Sequence, residues 1–190
     1  MPVRAILVSG LPGAGKSLLV EAARELGIPT VSMGDVVREE ARRRGLPETS
    51  EVLARLAREL RDLRGPQAVA ELTVRKAEAV AESSDTVLID GVRSWEEVEF
   101  FERAFGDVVI VAVHAPRRVR FERLVARGRE DDPKTWEEFV ERDERELGLG
   151  VGKVIALSDA MLLNYGKSKE EALREAKELL AEVVCGGGRG

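Results

Sequence analysis

Residues 10–17 read Gly10-Leu11-Pro12-Gly13-Ala14-Gly15-Lys16-Ser17, which places glycine, lysine and a hydroxyl at every fixed position of the pattern GxxxxGK[ST]. The apolar run from Arg4 to Ser9 precedes it, and an amphipathic pattern from Ser17 to Leu26, closed by Gly27, follows it. A loop of this kind between a strand and a helix constrains both fold and chemistry. Glycines let the backbone come close to phosphate oxygens, while successive amides and a helix N-terminus turn positive potential towards an anion. The motif predicts that Gly10, Pro12, Gly13, Ala14, Gly15, Lys16, Ser17 and Leu18 surround the phosphates of ATP. Lys16 would reach the β and γ phosphates, and the Ser17 hydroxyl would bind Mg2+. A glycine-rich turn that binds nothing has no packing reason to carry the lysine and the serine.

The rest of the chain alternates in the same way. Pro29–Met33, Thr86–Asp90, Val108–Val113 and Ala160–Asn164 read as further strands. Helical patterns run over Asp35–Arg44, Trp95–Ala104, Arg117–Arg127, Thr135–Glu146 and Lys169–Val184. Two more, Glu48–Leu63 and Gln67–Glu82, are separated by Gly65-Pro66 with no strand between them, and they read as an inserted helical flap. Gly148–Gly152 reads as a flexible connection. Alternating strands and helices predict an α/β three-layer sandwich, with a five-stranded parallel sheet covered on both faces. A single domain is expected over 1–184, with a flexible glycine-rich tail over 185–190.

Composition narrows the partners. Hydrophobic residues at 44% beside 34% charged residues of mixed sign indicate an ordinary globular chain, and the net charge of -5 disfavours nucleic acid as a partner. Cys185 is the only cysteine, so no intrachain disulfide can form. No apolar run approaches the roughly 20 residues of a membrane span, and no secretory segment is evident. The expectation is a soluble, cytoplasmic, unprocessed protein. Asn164 and Gln67 are the only side-chain amides, which hints at a thermophilic source; the arginine bias alone would also follow from a GC-rich genome.

Three further sets of residues carry candidate chemistry. Asp90-Gly91-Val92-Arg93 ends a predicted strand, where open parallel sheets bind ligands; Asp90 can hold a magnesium water and Arg93 an acceptor phosphate. The alternative is an Asp-Gly turn with a surface arginine. Met33-Gly34-Asp35-Val36-Val37-Arg38 lies at the end of another strand, and a guanidinium such as Arg38 suits a phosphate dianion; Asp35 is equally a good N-cap. The arginines from Arg117 to Arg129 form the third set, of which Arg117, Arg118 and Arg120 read as ion-pair formers. His114 reads as structural, and Trp95 and Trp136 as packing anchors.

In chain order, Gly10–Ser17, Met33–Arg38 and Asp90–Arg93, with a two-helix insertion between the second and third, the motifs resemble the adenylate-kinase type of nucleoside monophosphate kinases. The resemblance implies that Asp35, Arg38 and Arg93 hold an acceptor monophosphate, with 38–75 as the acceptor-binding flap. Arg123-Leu-Val-Ala-Arg127 resembles the family's entry to the lid, which implies that Arg123 packs on adenine and Arg127 contacts ATP phosphates. Arg129-Glu-Asp-Asp132, with Arg142 beyond it, resembles the residues after the lid, which implies contact with the transferring phosphate and a lid shortened to 127–147. Ser158-Asp-Ala-Met-Leu-Leu-Asn164-Tyr-Gly166, with Lys167 next, is similar to the adenine-carrying strand and loop of dephospho-coenzyme A kinases; Asn164 is otherwise a turn residue. The whole chain resembles an archaeal family of predicted P-loop kinases carrying Met-Gly-Asp-Val-Val-Arg-Glu-Glu and Asp-Asp-Pro-Lys-Thr-Trp-Glu-Glu-Phe. These likenesses imply phosphoryl transfer from ATP with Mg2+ to a small phosphate-bearing acceptor, first a nucleoside monophosphate. The alternatives are dephospho-coenzyme A, or hydrolysis by an ATPase or nucleotide switch acting with a macromolecule.

Overall fold

The computed structural model describes residues 3–81, 84–129 and 132–186. Its elements run β1 (Arg4–Ser9), α1 (Ser17–Glu25), β2 (Thr30–Ser32), α2 (Met33–Arg43), α3 (Ser50–Arg64), α4 (Ala68–Val80) and β3 (Thr86–Asp90). They continue with α5 (Trp95–Phe105), β4 (Val108–His114), α6 (Arg117–Arg127), α7 (Trp136–Leu149), α8 (Val151–Ala156), β5 (Ala160–Leu163) and α9 (Lys169–Cys185).

All four strand pairings are parallel, in the order β2-β3-β1-β4-β5. The chain starts in the middle, moves out to one side and returns to the other, so the carboxyl end of β1 is the switch point at which such sheets leave a crevice. The glycine loop opens there.

Continuous apolar runs make these strands because both faces are covered. Alternate residues of β1 point to opposite faces. Ala5 and Leu7 join Ile89, Ile110, Val36, Leu56, Val69, Val98 and Phe101 in one core. Ile6 and Val8 join Leu88, Val111, Val113 and Leu162 with Leu19, Ala22, Ala176 and Leu180 of α1 and α9 in the other. The insertion between β2 and β3 is not a separate body, because α2, α3 and α4 all contribute to the first core.

Three details correct the sequence reading. Helix α2 starts two residues early, because Ser32 caps it by accepting the Asp35 N–H at 3.3 Å; Asp35 is thus inside the first turn and is not the cap. Gly148–Gly152 is not a flexible connection. Helix α7 runs to Leu149, and Gly150, left-handed at φ +106°, ends it while starting α8. The burial of Val151 and Val154 outweighs the weak helix propensity of the local glycines. Cys185, assigned to a tail, is the last residue of α9; residues 187–190 lie outside the described residues.

The core sets the stability. Replacing Phe101, 0% exposed, with alanine is expected to cost about 3–5 kcal/mol. Leu63→Ala, at a side chain 73% exposed, is expected to stay within about 0.5 kcal/mol. Denaturant midpoints for the two variants check this, with unchanged slopes.

Candidate functional site

The loop between β1 and α1 is held from outside. Gly13 and Gly15 are left-handed, at φ +80° and +96°. A Cβ on Gly13 would lie 2.6 Å from the Arg120 carbonyl oxygen, and one on Gly15 would lie 2.1 Å from Asn164 Nδ2. Only glycine fits either place. The Asn164 amide donates to the Ala14 carbonyl at 2.8 Å, and Arg120 donates to the Pro12 carbonyl at 3.1 Å. Arg123 donates to the Asn164 carbonyl at 2.8 Å and reaches that of Ala14 at 3.4 Å. With these carbonyls occupied, the N–H groups of Gly13, Gly15 and Lys16 donate to no acceptor among the described residues. Helix α1 starts without a side-chain cap. Free amides at an uncapped helix start are the physical basis of an anion site.

Lys16 Nζ donates to the Gly10 carbonyl at 2.7 Å. Burial lowers its pKa, and the nearby Asp90 carboxylate works against that; Arg93, Glu146 and Arg142 also act on it. Asp90 ends β3 with its Oδ1 buried and unpartnered. Burial raises its pKa, while Lys16 and Arg93 pull it down and Asp35 pushes it up. The structure therefore gathers Lys16, Asp90, Arg93, Arg142 and Asp35 at the carboxyl edge of the sheet, with Ser17 exposed beside Lys16.

No group of three metal-binding side chains occurs among the described residues. Magnesium characteristically takes one or two protein oxygens and fills its shell with phosphate and water. An orphaned carboxylate oxygen on Asp90 with the open Ser17 hydroxyl fits that requirement.

The candidate acceptor arginines are each held by a carboxylate. Arg38 pairs with Asp35 at 2.6 Å, and Arg93 Nε pairs with Glu146 at 3.1 Å. Arg127 and Arg142 share Asp132, which binds Arg127 Nε at 2.8 Å and Arg142 at 3.3 Å. The pKa of Asp132 is lowered, first by its bond from Arg127. The backbone N–H of Arg129 also donates to Asp132, and its side chain is exposed. Glu130 and Asp131 of the same motif lie outside the described residues. Lys167 pairs with Glu175, and Gly166 forms a left-handed turn at φ +69°.

Several assignments change against this geometry. Asn164 is no simple turn residue, since its buried side chain fastens the glycine loop 150 positions away. Arg120 does form the expected ion pair, but a buried one, bidentate to Asp143 at 2.8 and 2.6 Å and lying over the Phe139 ring. Arg117 lies over Trp136 instead of pairing with an acid. Trp136 packs with Phe121 and Phe139 as an anchor, and Trp95 packs against the first core. His114 is exposed and lines a cavity of about 500 Å³ with Leu11, Leu147 and Met161. Asp143, Glu146 and the buried Glu97, which accepts the Arg93 backbone N–H at 2.9 Å, carry no sequence motif of their own. The spacing of Arg142, Asp143 and Glu146 on one helix was the available signal for the first two.

The family model described as an AAA domain matches residues 9–140. The UPF0200 protein of Thermococcus gammatolerans is 51% identical over 187 residues, covering 97% of this chain and 98% of its own. The UPF0200 protein of Hyperthermus butylicus is 55% identical over 179 residues, covering 94% of each. This chain belongs to the UPF0200 family. It also carries the AAA domain, of P-loop kinase type. Among solved structures, the UPF0200 chain superposes on TT1252 from Thermus thermophilus with a TM-score of 0.67 at 20% identity, over 96% of this chain and 98% of that one. Shikimate kinase from Aquifex aeolicus gives 0.55 at 19% identity over 96% and 99%, and a gluconokinase from Sinorhizobium meliloti gives 0.54 at 18% over 96% and 93%. These likenesses establish the kinase-like P-loop fold of this UPF0200 chain.

Two predictions follow from the loop and from Asp90. Mg-ATP is expected to raise the melting temperature of the wild type, and Gly15→Ala is expected to abolish that shift, as thermal unfolding with and without nucleotide would register. Asp90 is raised in the fold, so its ionisation opposes folding; the cost is absent in acid and grows as pH rises through the folded pKa. Asp90→Asn should therefore melt higher than wild type without ligand near neutral pH, with the gap closing towards pH ~4. A wild type at least as stable as Asp90→Asn near neutral pH would contradict this reading.

Proposed function

We propose that this chain is a cytoplasmic phosphotransferase that moves the γ-phosphoryl group of ATP to a small phosphate-bearing acceptor, foremost a nucleoside monophosphate. The observation that carries the reading is the convergence of Lys16, the orphaned Asp90 oxygen and Arg93 beside three free loop amides. In this reading the amides of Gly13, Gly15 and Lys16 hold donor phosphates. Lys16 leaves the Gly10 carbonyl for the β and γ oxygens. Ser17 and, through water, Asp90 hold Mg2+, which would neutralise charge on the transferring group. Arg93 and Arg38 exchange Glu146 and Asp35 for the acceptor phosphate. Arg142 and Arg127, with Arg129, approach the transferring group from the shortened lid. Arg123 and the turn at Asn164, Gly166 and Lys167 border the adenine.

The chemistry needs no nucleophilic side chain. An acceptor phosphate oxygen forms the new bond to γ-phosphorus, the bond to the β-bridging oxygen breaks, and ADP leaves with the electron pair. A hydroxyl acceptor, such as that of dephospho-coenzyme A, is the second reading. Half-exposed Asp35 at the same edge supports it as a proton acceptor, as do neighbours named shikimate kinase and gluconokinase.

The test is radiolabelled ATP with magnesium and a panel of nucleoside monophosphates, dephospho-coenzyme A and water alone. Nucleoside diphosphate formation is expected. Arg93→Ala should cut kcat/KM for the acceptor by about 10²-fold while sparing slow ATP hydrolysis. Label transferred only to dephospho-coenzyme A would select the second reading. Hydrolysis that ignores every small acceptor and rises only with an added protein or RNA would overturn both.

A further inference from the structure

Glu97 stands on the first turn of α5 and is 0% exposed. A carboxylate removed from water is costly unless its oxygens are matched. Its Oε2 accepts the backbone N–H of Arg93 at 2.9 Å, and its Oε1 accepts from Arg61 of α3 at 3.0 Å.

Helix capping alone does not explain this arrangement. Glu138 and Glu171 stand at the same position of their helices, are exposed, and bond, among the described residues, only to nearby backbone: Glu171 to its cap Ser168, and Glu138 to its cap Thr135 and to Lys134 before it. Glu97 likewise accepts from the residue before its cap Ser94, Arg93, but it is buried and its second oxygen recruits a guanidinium 36 positions earlier in the chain. Its burial therefore does something a cap does not require: it joins the helical insertion to the loop that carries the candidate acceptor arginine.

The rest of that loop is also tied down. Gly91 and Val92 donate to the Val8 carbonyl at 3.1 and 3.2 Å, and Ser9 Oγ donates to the Val92 carbonyl at 2.8 Å. The bond from Arg93 to Glu97 is the last of these ties before the guanidinium. Arg61 and Arg93 both line an open cavity of about 190 Å³, together with Pro66, Ser94, Glu96 and Leu149. The two arginines lining it are thus fastened to one carboxylate, Arg61 by its side chain and Arg93 by its backbone.

We propose that Glu97 is a positioning residue that aims Arg93 and docks α3 through Arg61, so that it sets the affinity for the acceptor and not for the nucleotide. This rests on the phosphotransferase reading above for its kinetic consequence, and on the ligand-free protein for its structural one.

Arg61→Ala leaves a buried carboxylate unmatched and risks misfolding, so Glu97→Gln and the double variant Arg61→Ala/Glu97→Gln are made beside it, with Arg61→Lys as the conservative control. The acceptor KM of Glu97→Gln and of the double variant is expected to rise by about tenfold, with kcat and the ATP KM within about twofold of wild type. Arg61→Lys should recover most of the acceptor affinity. In ligand-free protein, hydrogen exchange at the Arg93 amide should quicken by about tenfold in both variants, while residues 10–18 keep the wild-type rate. An acceptor KM unchanged in both, or an ATP KM that rises in step with it, would overturn the proposal. If the wild type phosphorylates no acceptor, the phosphotransferase reading fails, and the exchange measurement alone then decides the tie: unchanged exchange at Arg93 overturns it, and faster exchange confined to that loop and α3 supports it.

Discussion

The buried pair between Arg120 and Asp143 organises more of this molecule than its size suggests. Arg120 stands on α6, Asp143 on α7, and the same guanidinium donates to the carbonyls of Pro12 and Ala115. Four elements of the structure, β1's loop, the end of β4, α6 and α7, thus meet on one planar cation whose five donors suit such a junction. Two buried charges are stable there because each is matched in geometry and the Phe139 ring covers the guanidinium face. Fixing α7 in this way also fixes Arg142 and Glu146 on the same helix, and with them the partners of Asp132 and Arg93.

The electrostatics of the site have a common pattern. Four of the arginines that would meet a phosphate already rest on a carboxylate: Arg38 on Asp35, Arg93 on Glu146, Arg127 and Arg142 on Asp132. A phosphate entering such a site exchanges one anion for another and does not fill a bare positive pocket, so the side chains are ordered before ligand arrives. Asp90 is different, because its buried Oδ1 has no hydrogen-bond partner among the described residues. Its free energy is already raised in the fold, which is the condition expected of a group completed by a ligand.

Legibility in the sequence followed the range of the interaction. The glycine loop could be read because all its determinants sit within eight residues and between two elements with strong periodicity. The buried strands were equally plain, since runs such as Val108–Val113 have few other uses. The candidates Arg38 and Arg93 come from the motifs at the ends of β2 and β3. What escaped depends on partners brought together only by folding. Arg120 and Asp143 are 23 positions apart, Arg61 and Glu97 are 36 apart, and Asn164 and Ala14 are 150 apart. No local pattern distinguishes these side chains from the many solvated charges around them. Helix α8 escaped for a different reason: glycines at 148, 150 and 152 outweigh two valines in propensity, yet the valines win once a core is available to bury them.

The fastening of Asn164 has a chemical corollary. It is the chain's only asparagine, a residue type that loses ammonia slowly in hot water when its side chain can fold back on the following peptide nitrogen. Here the amide is sealed from solvent and donates to Ala14, so the cyclisation that begins such decay is hindered. An aspartate formed at this place would set a carboxylate against a carbonyl oxygen beneath the anion cradle. The position where ageing would do most harm is thus among the best sheltered.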